Sequence, residues 1–430
     1  MAADPVRRLA SAACSTVLAL GSLTACTSAP PPDVRIGVLA DCVGLFRSLN
    51  DLVLSGAQLP LLERGAQASG SAPSDGLEPL AIGVHGVELV PGCVEGGGFT
   101  TIIEEARRLV ETEHVDAVVG ATWPGDGLVL RDVAARYPDT LFVAATAGPR
   151  EVTLLNGADN LVRLAPDYAQ SVAGLGARAR EDLGWRAVHV ITENSELGWL
   201  AGAAFAAQFC SPGRRLEVTS IDWGTQPPVS RVLRTDRPVD GTVVLTDAAV
   251  LPARLPHALG VLSPSRLLLG PGVVDQPGFV ERLPAGLDGT TGMSTGPPSA
   301  DPATLDYQRS YAEHFPGLPA AAAFDPAVLG FRDAVESIVS AVAASPSDAA
   351  VNGSALIGQL RSSPNPTLAG PTSLDQNGQG LATVRLVRLT LGGGDPSLTV
   401  VSEERDVDQT LSGVLPRELQ PTADTTTCRT

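Results

Sequence analysis

Gly292-Met293-Ser294-Thr295-Gly296 has the G-x-S-x-G spacing that lifts a serine onto a strand-to-helix turn for nucleophilic attack. That turn needs a buried strand before it and a helix after it. Thr290-Thr291 precede the motif and Pro297-Pro298 follow it, so no elbow helix can start, and only His314 lies downstream. A serine hydrolase is therefore a weak alternative, and no catalytic residue is expected. The five histidines are scattered, without HExxH or any zinc-ligand spacing, so no metal and no cofactor are expected. Glu111, Glu113, His114 and Asp116 cluster, but as the solvated end of a helix. Net charge is −17, which leaves no basic surface to displace counterions and excludes nucleic acid as a partner.

The elements that would position a site alternate between strand and helix. Val34–Leu39 reads as a strand, and Leu49–Ala68 as a helix that Pro60 kinks. Val87–Val90 is a second strand. Thr100 caps an amphipathic helix with Ile102, Ile103, Ala106, Leu109 and Val110 on one face. Val115–Val119 and Leu141–Ala145 are buried-type strands around a helix at Leu128–Tyr137. Strands separated by helices of 10–15 residues imply βαβ units and a parallel sheet. The pattern then restarts, with helices at Tyr168–Leu183 and Leu197–Phe209. Strands follow at Ala187–Ile191, Leu216–Ile221, Thr242–Leu245 and Arg266–Leu269. Two helices, Ala303–Phe315 and Pro326–Ala344, precede a hairpin of Thr383–Leu389 and Leu398–Val401 over Gly392–Gly394. The expected fold is α/β, with two doubly wound parallel-sheet lobes.

The N-terminus carries a targeting signal. Arg7 and Arg8 give a positive start, Leu9–Leu20 an apolar core, and Leu23-Thr24-Ala25-Cys26 a small-residue cleavage site. The apolar run is short of the ~20 residues a membrane span needs. Leu-Thr-Ala-Cys resembles the lipobox of bacterial lipoproteins, which implies cleavage after residue 25 and diacylglyceryl modification of Cys26. Two acyl chains anchor stably where one is marginal. Pro30-Pro31-Pro32 makes a stiff tether. The 405 residues from Cys26 onward suit two lobes rather than one core.

In an exported chain the four remaining cysteines point to two disulfides, with three connectivities open. Cys42 follows the first strand and Cys93 the second. Neighbouring parallel strands in a doubly wound sheet end side by side, within disulfide reach. Cys42–Cys93 is then one bridge, and Cys210–Cys428 would staple the tail.

A lipobox, then Val-Arg-Ile-Gly-Val-Leu, then two α/β lobes and a returning tail resemble the type I periplasmic binding proteins. Within these the chain is similar to the branched-chain amino acid group of ABC-transporter substrate-binding proteins. The similarity rests on Gly56–Pro60, Glu104–Val110, Val115–Gly120, Val143–Thr146 and Ser373–Gly378. It implies two lobes joined by three crossovers, with a ligand between them. The implied layout is a signal peptide (1–25), a lipidated tether (26–33), an N-lobe (33–160 plus 290–365), a C-lobe (165–288 plus 370–405) and a tail (406–430). It also implies an extracytoplasmic, membrane-anchored receptor whose partners are a small, amino-acid-like solute and an ABC permease. A sensor without transport, or a relative whose cleft no longer binds, are the alternatives.

Ligands of open α/β sheets lie beyond the carboxyl ends of the strands, here at the loops Asp41–Arg47, Gly120–Gly127 and Ala144–Pro149. On the family's pattern Thr122, Trp123 and Asp126 occupy the loop where relatives grip the ligand carboxylate with a serine. Ala144-Ala145-Thr146 matches the family's Ala-Ala-Thr, placing the Ala144 carbonyl and Thr146 side chain on the ligand. Glu193–Gly198 stands where relatives carry Tyr-Gly, with Leu197 replacing the aromatic, and Asp247 is an acidic partner for a ligand amine.

Overall fold

Ala117–Gly120 and Leu141–Ala144 are buried at every position, as expected of parallel strands covered by helices on both faces. The computed structural model describes residues 32–44, 47–95, 98–392 and 396–428. The signal segment and Cys26 lie outside these residues. Two sheets organise the chain. The first contains β1 (Pro32–Val43), β2 (Leu80–Ile82), β3 (His85–Glu95), β4 (Ala117–Gly120), β5 (Leu141–Ala144) and β6 (Leu161–Arg163). Its order is β2-β3-β1-β4-β5-β6, parallel except for the β2 edge. The chain runs to one side of β1 and then crosses to the other, which puts the topological switch point between β1 and β4.

The second sheet contains β7 (Ala187–Glu193), β8 (Arg215–Ile221), β9 (Gly241–Val244), β10 (Leu267–Leu269), β11 (Thr291–Ser294), β12 (Ala382–Thr390) and β13 (Ser397–Val407). Its order is β13-β12-β11-β10-β9-β7-β8, with β12 and β13 antiparallel. Here the switch point falls between β7 and β9. Helices Asn50–Leu62, Pro326–Ala344 and Gly353–Ser362 cover one face of the first sheet, and Phe99–Glu111 and Asp126–Ala134 the other. Cys42 is bonded to Cys93 and Cys210 to Cys428. Both expected bridges are present, and the first confirms that β1 and β3 end side by side.

Several local expectations are corrected. Thr100 is not a cap: the helix begins at Phe99, and the Thr101 hydroxyl instead donates to the Gly98 carbonyl at 2.7 Å. The first helix stops at Leu62 rather than Ala68. The helix expected over 168–183 breaks at Gly174, whose φ of 80° is left-handed. Thr291–Ser294 pairs with β10 and β12, so the chain is still in the second sheet at a point expected to have returned to the first lobe. Short β6 and the helix Gly353–Ser362 were not anticipated.

A buried polar network ties the crossovers together. Arg163, at the end of β6, donates from Nε to Gln379 Oε1 at 2.7 Å and from Nη1 to the Pro149 carbonyl at 2.8 Å. The Gln379 amide donates to the Ala165 carbonyl at 2.9 Å, and Thr153 lies 3.0 Å from Gln379 Oε1 and 3.2 Å from Gln409 Oε1. Gln409 donates to Asp167 at 2.8 Å, and Gln170 donates to the Gly380 and Val407 carbonyls at 2.9 and 2.7 Å. Burial pulls the Arg163 guanidinium down to about 10, against the upward pull of Asp167. Gln379→Ala removes the acceptor that Arg163 and Thr153 share. It should lower stability by about 2–3 kcal/mol, read as an earlier urea midpoint than wild type.

Candidate functional site

The carboxyl ends of both sheets face each other across a cleft, and at each switch point a buried carboxylate meets a threonine. In the first lobe Asp41, near the end of β1, is wholly buried, and Thr122 follows β4. Neither Asp41 oxygen nor the Thr122 hydroxyl has a hydrogen-bond partner of full geometry. Burial raises the Asp41 carboxyl to about 6, with the neighbouring Thr122 hydroxyl pulling the other way.

The second lobe repeats the arrangement. Glu193 ends β7 with 2 % of its surface exposed, and Thr246 follows β9, also buried. Ser195 donates to Glu193 Oε1 at 2.5 Å, while Oε2 has no full partner. Burial raises the Glu193 pKa; Ser195 lowers it, nearby Asp247 raises it further, and the Trp223 and Thr246 side chains lower it. Asp247 accepts the Ala249 amide at 2.7 Å and is raised by burial and by Asp325 from the first lobe. Asp325 caps the helix Pro326–Ala344, accepting the Ala327 amide at 2.8 Å, and burial raises it too. That helix reaches the cleft because Gly330 has no side chain: a Cβ there would lie 1.8 Å from the Ala145 carbonyl oxygen. Trp123 and Trp223 meet edge-to-face across the lobes, ring centroids 5.2 Å apart.

Toward the crossovers the cleft opens into a cavity of about 620 Å³, walled by Ala147, Asp275, Ser294, Phe324, Leu329 and Leu398 among others. That volume falls in the range of small-molecule sites. The Ser294 hydroxyl donates to Asp275 Oδ1 at 2.5 Å, and the same carboxylate accepts the Thr295 amide at 2.9 Å. Ser294 thus ends a strand, but its hydroxyl is spent on an acid and no histidine lines the cavity. The arrangement does not build a nucleophile.

The residues expected at the site are distributed along this cleft. Thr122, Trp123 and Asp247 are part of the carboxylate and aromatic lining just described. Asp126 is buried in the first turn of its helix. Ala144 ends β5, and the Thr146 hydroxyl donates to the Ala121 carbonyl at 3.2 Å, bracing the β4 and β5 loops together. Asp41 lay inside an expected loop without being singled out. Trp223, Thr246 and Asp325 were not anticipated, although Trp223 and Thr246 each lie two residues past a strand end and Asp325 directly precedes a helix. Among the described residues no group of histidine, cysteine and acidic side chains is arranged to hold a metal ion.

A family model described as a periplasmic binding protein matches residues 33–395. Among solved structures, an ABC transporter substrate-binding protein from Sphaerobacter thermophilus is 19% identical, with a TM-score of 0.69 over 87% of this chain and 99% of that one. A leucine-binding protein from Thermotoga maritima is 18% identical, with a TM-score of 0.61 over 86% and 98%. A solute-binding protein from Rhodopseudomonas palustris, in complex with 3,4-dihydroxybenzoic acid, is 16% identical, with a TM-score of 0.69 over 88% and 99%. These likenesses carry the two-lobed fold. Among curated proteins none matches.

Asp41 has a clear linkage sign. Its folded pKa lies above its unfolded value, so its contribution favours folding at low pH and is lost as pH rises through about 6. Asp41→Asn should therefore stabilise the protein by about 2 kcal/mol above pH ~7, the gain fading toward pH ~4. Melting temperatures across that range check it.

Proposed function

The chain belongs to the periplasmic binding protein family, and we propose that it is an extracytoplasmic, lipid-anchored receptor that captures a small amine-bearing solute between its lobes for an ABC permease. The ligand is amino-acid-like in size and in carrying an ammonium group. The observation that carries this reading is the pair of buried acid–threonine sites at the two switch points, where Asp41, Thr122 and one Glu193 oxygen lack a hydrogen bond of full geometry. Buried polar groups without partners cost about 1–3 kcal/mol each, and a bound ligand offsets that cost. Thr122, Trp123, Asp126, the Ala144 carbonyl, Thr146 and Asp247 are the proposed contacts, together with Asp41 and Glu193. The Thr146 hydroxyl, donating to Ala121, keeps its lone pairs for a ligand N–H.

No chemistry on the solute is required, since Ser294 is bonded to Asp275 rather than to a base. Anchoring rests on the Leu23–Cys26 lipobox; among the described residues no helix is long and apolar enough to cross a membrane. The permease partner follows from the family's role and from a lobe arrangement in which closure around a solute reports occupancy.

A thermal-shift screen of the purified protein against amino acids, amines, amides, sugars and aromatic carboxylates tests the receptor reading. A true ligand at 100 times its dissociation constant adds about 2.7 kcal/mol, seen as a higher melting temperature. A silent panel with folded protein would sink it. Cys26→Ala should move the protein from the membrane to the soluble extracytoplasmic fraction; unchanged membrane retention would contradict the lipid anchor.

A further inference from the structure

We infer that the solute is a net organic cation, with ammonium or guanidinium groups and no free carboxylate. The inference rests on the receptor reading above and names the chemical class of its ligand. Four buried or half-buried carboxylates stand at the cleft ends of strands and helices of the two lobes: Asp41, Glu193, Asp247 and Asp325. All 30 basic residues of the chain are arginines, and among the described residues none forms an ion pair with any of the four or figures among the groups acting on them. Asp41 is wholly buried with neither oxygen in a hydrogen bond of full geometry, and Glu193 is 2 % exposed with one oxygen in the same position; their neighbours are neutral hydroxyls and an indole, not cations. Removing a charge from water without a counter-charge is expensive even after relaxation. A fold that keeps several such groups at a ligand cleft is short of positive charge there, and a cationic solute supplies it.

The same surfaces are closed to a ligand carboxylate. An anion in an α/β cleft is ordinarily held by the amides at helix N-termini, and three helices begin at this one. Helix Asp126–Ala134 has Asp126 in its first turn. Helix Glu196–Phe209 is capped by Ser195 and has Glu196 in its first turn. Helix Pro326–Ala344 is capped by Asp325. Each N-terminus therefore already carries a protein acid beside it, which repels a second anion. The Ser195 hydroxyl, at the start of the second of these helices, donates to Glu193.

The aromatic residues fit the same class. Trp123 and Trp223 meet from opposite lobes, and Trp223 approaches the Glu193 carboxylate. Indole faces beside unpaired acids attract ammonium and quaternary ammonium groups. The repeat of acid and threonine at β1/β4 and at β7/β9 puts negative charge on both walls, so closure around a cation brings attraction from each lobe. Closure around an anion would bring repulsion from both.

Matched pairs that differ by a carboxylate decide the question. Isothermal titration of the purified protein would compare 1,4-diaminobutane with 4-aminobutanoate, agmatine with arginine, and choline with glycine betaine. At least one carboxylate-free member should bind, ten-fold or more tightly than its partner. Glu193→Gln and Asp247→Asn should weaken that binding ten-fold or more while leaving the unliganded melting temperature unchanged or higher. The higher melting point separates lost recognition from lost folding. Equal or tighter binding of the carboxylate-bearing members overturns the inference and leaves the receptor reading standing. So does a benzoate or neutral amino acid as the best ligand in the wider screen, or undiminished cation binding by both variants. Silence from all six compounds also overturns it; only silence from the wider screen as well removes the receptor reading.

Discussion

The Arg163 guanidinium, buried where three chain crossings meet, is the group around which both lobes are arranged. It stands at the end of β6 and is bonded to Gln379 and the Pro149 carbonyl. Its backbone accepts the Gly380 amide at 2.7 Å and donates to the Gly378 carbonyl at 2.9 Å. One residue thus holds the chain leaving the first lobe against the chain returning to the second. A buried cation needs its donors answered; Nε and Nη1 are answered by a side-chain amide and a carbonyl of the crossovers, while Nη2 has no hydrogen-bond partner. The hinge is therefore polar and specific in register, while the lobes on either side are apolar and free to keep separate cores.

That division explains where the unpaired charge lies. Arg163 has Asp167 nearby, linked through Gln379, Thr153 and Gln409, so the crossover network has its own counter-charge. The cleft carboxylates have no such counterpart. Stability forgone at Asp41 and Glu193 is affordable because two extensive apolar cores and two disulfides support the strand ends that carry them. The Cys42–Cys93 bridge sits beside Asp41 and holds β1 to β3 where the carboxylate is least comfortable. Unfavourable groups persist where the surrounding structure over-determines them.

Most of the architecture was legible in the sequence because its strands are buried on both faces and so read as continuous apolar runs. Ala117–Gly120, Leu141–Ala144 and Gly241–Val244 are of that kind, and Cys42–Cys93 followed from the strand order they imply, leaving Cys210 for Cys428. Elements whose residues are decided by tertiary contacts were not legible. β6 is three residues long and ends in an arginine, a poor strand signature until Gln379 is known to receive it. The break at Gly174 depends on Gln208, whose side chain accepts the Gly174 amide at 2.6 Å from a separate helix. Thr291–Ser294 contains a glycine and two hydroxyls, and is a strand only because β10 and β12 flank it. At the site the loops and Asp247 were legible, but Asp41 and Asp325 were not: Asp325 looks like an ordinary helix cap, and its cleft role comes from Gly330 letting that helix approach Ala145.

The two lobes carry the same device on unrelated local sequences. Asp41 and Glu193 end the central strand next to each switch point, and Thr122 and Thr246 follow the strand on its other side. Asp41 is succeeded by a disulfide cysteine, whereas Glu193 is succeeded by a turn and a helix capped by Ser195. What the lobes share is topology: a switch point leaves a crevice between two parallel strands whose side chains cannot cover each other. A carboxylate there is sheltered from water, and no cation of its own lobe stands beside it. Each lobe alone would hold an unsatisfied acid, and bringing the lobes together without a cation would set those acids against one another. The Trp123–Trp223 contact joins the lobes without neutralising either acid. Closure then favours whichever solute brings positive charge between the acids, so the cleft's selectivity and its response to occupancy share one electrostatic origin.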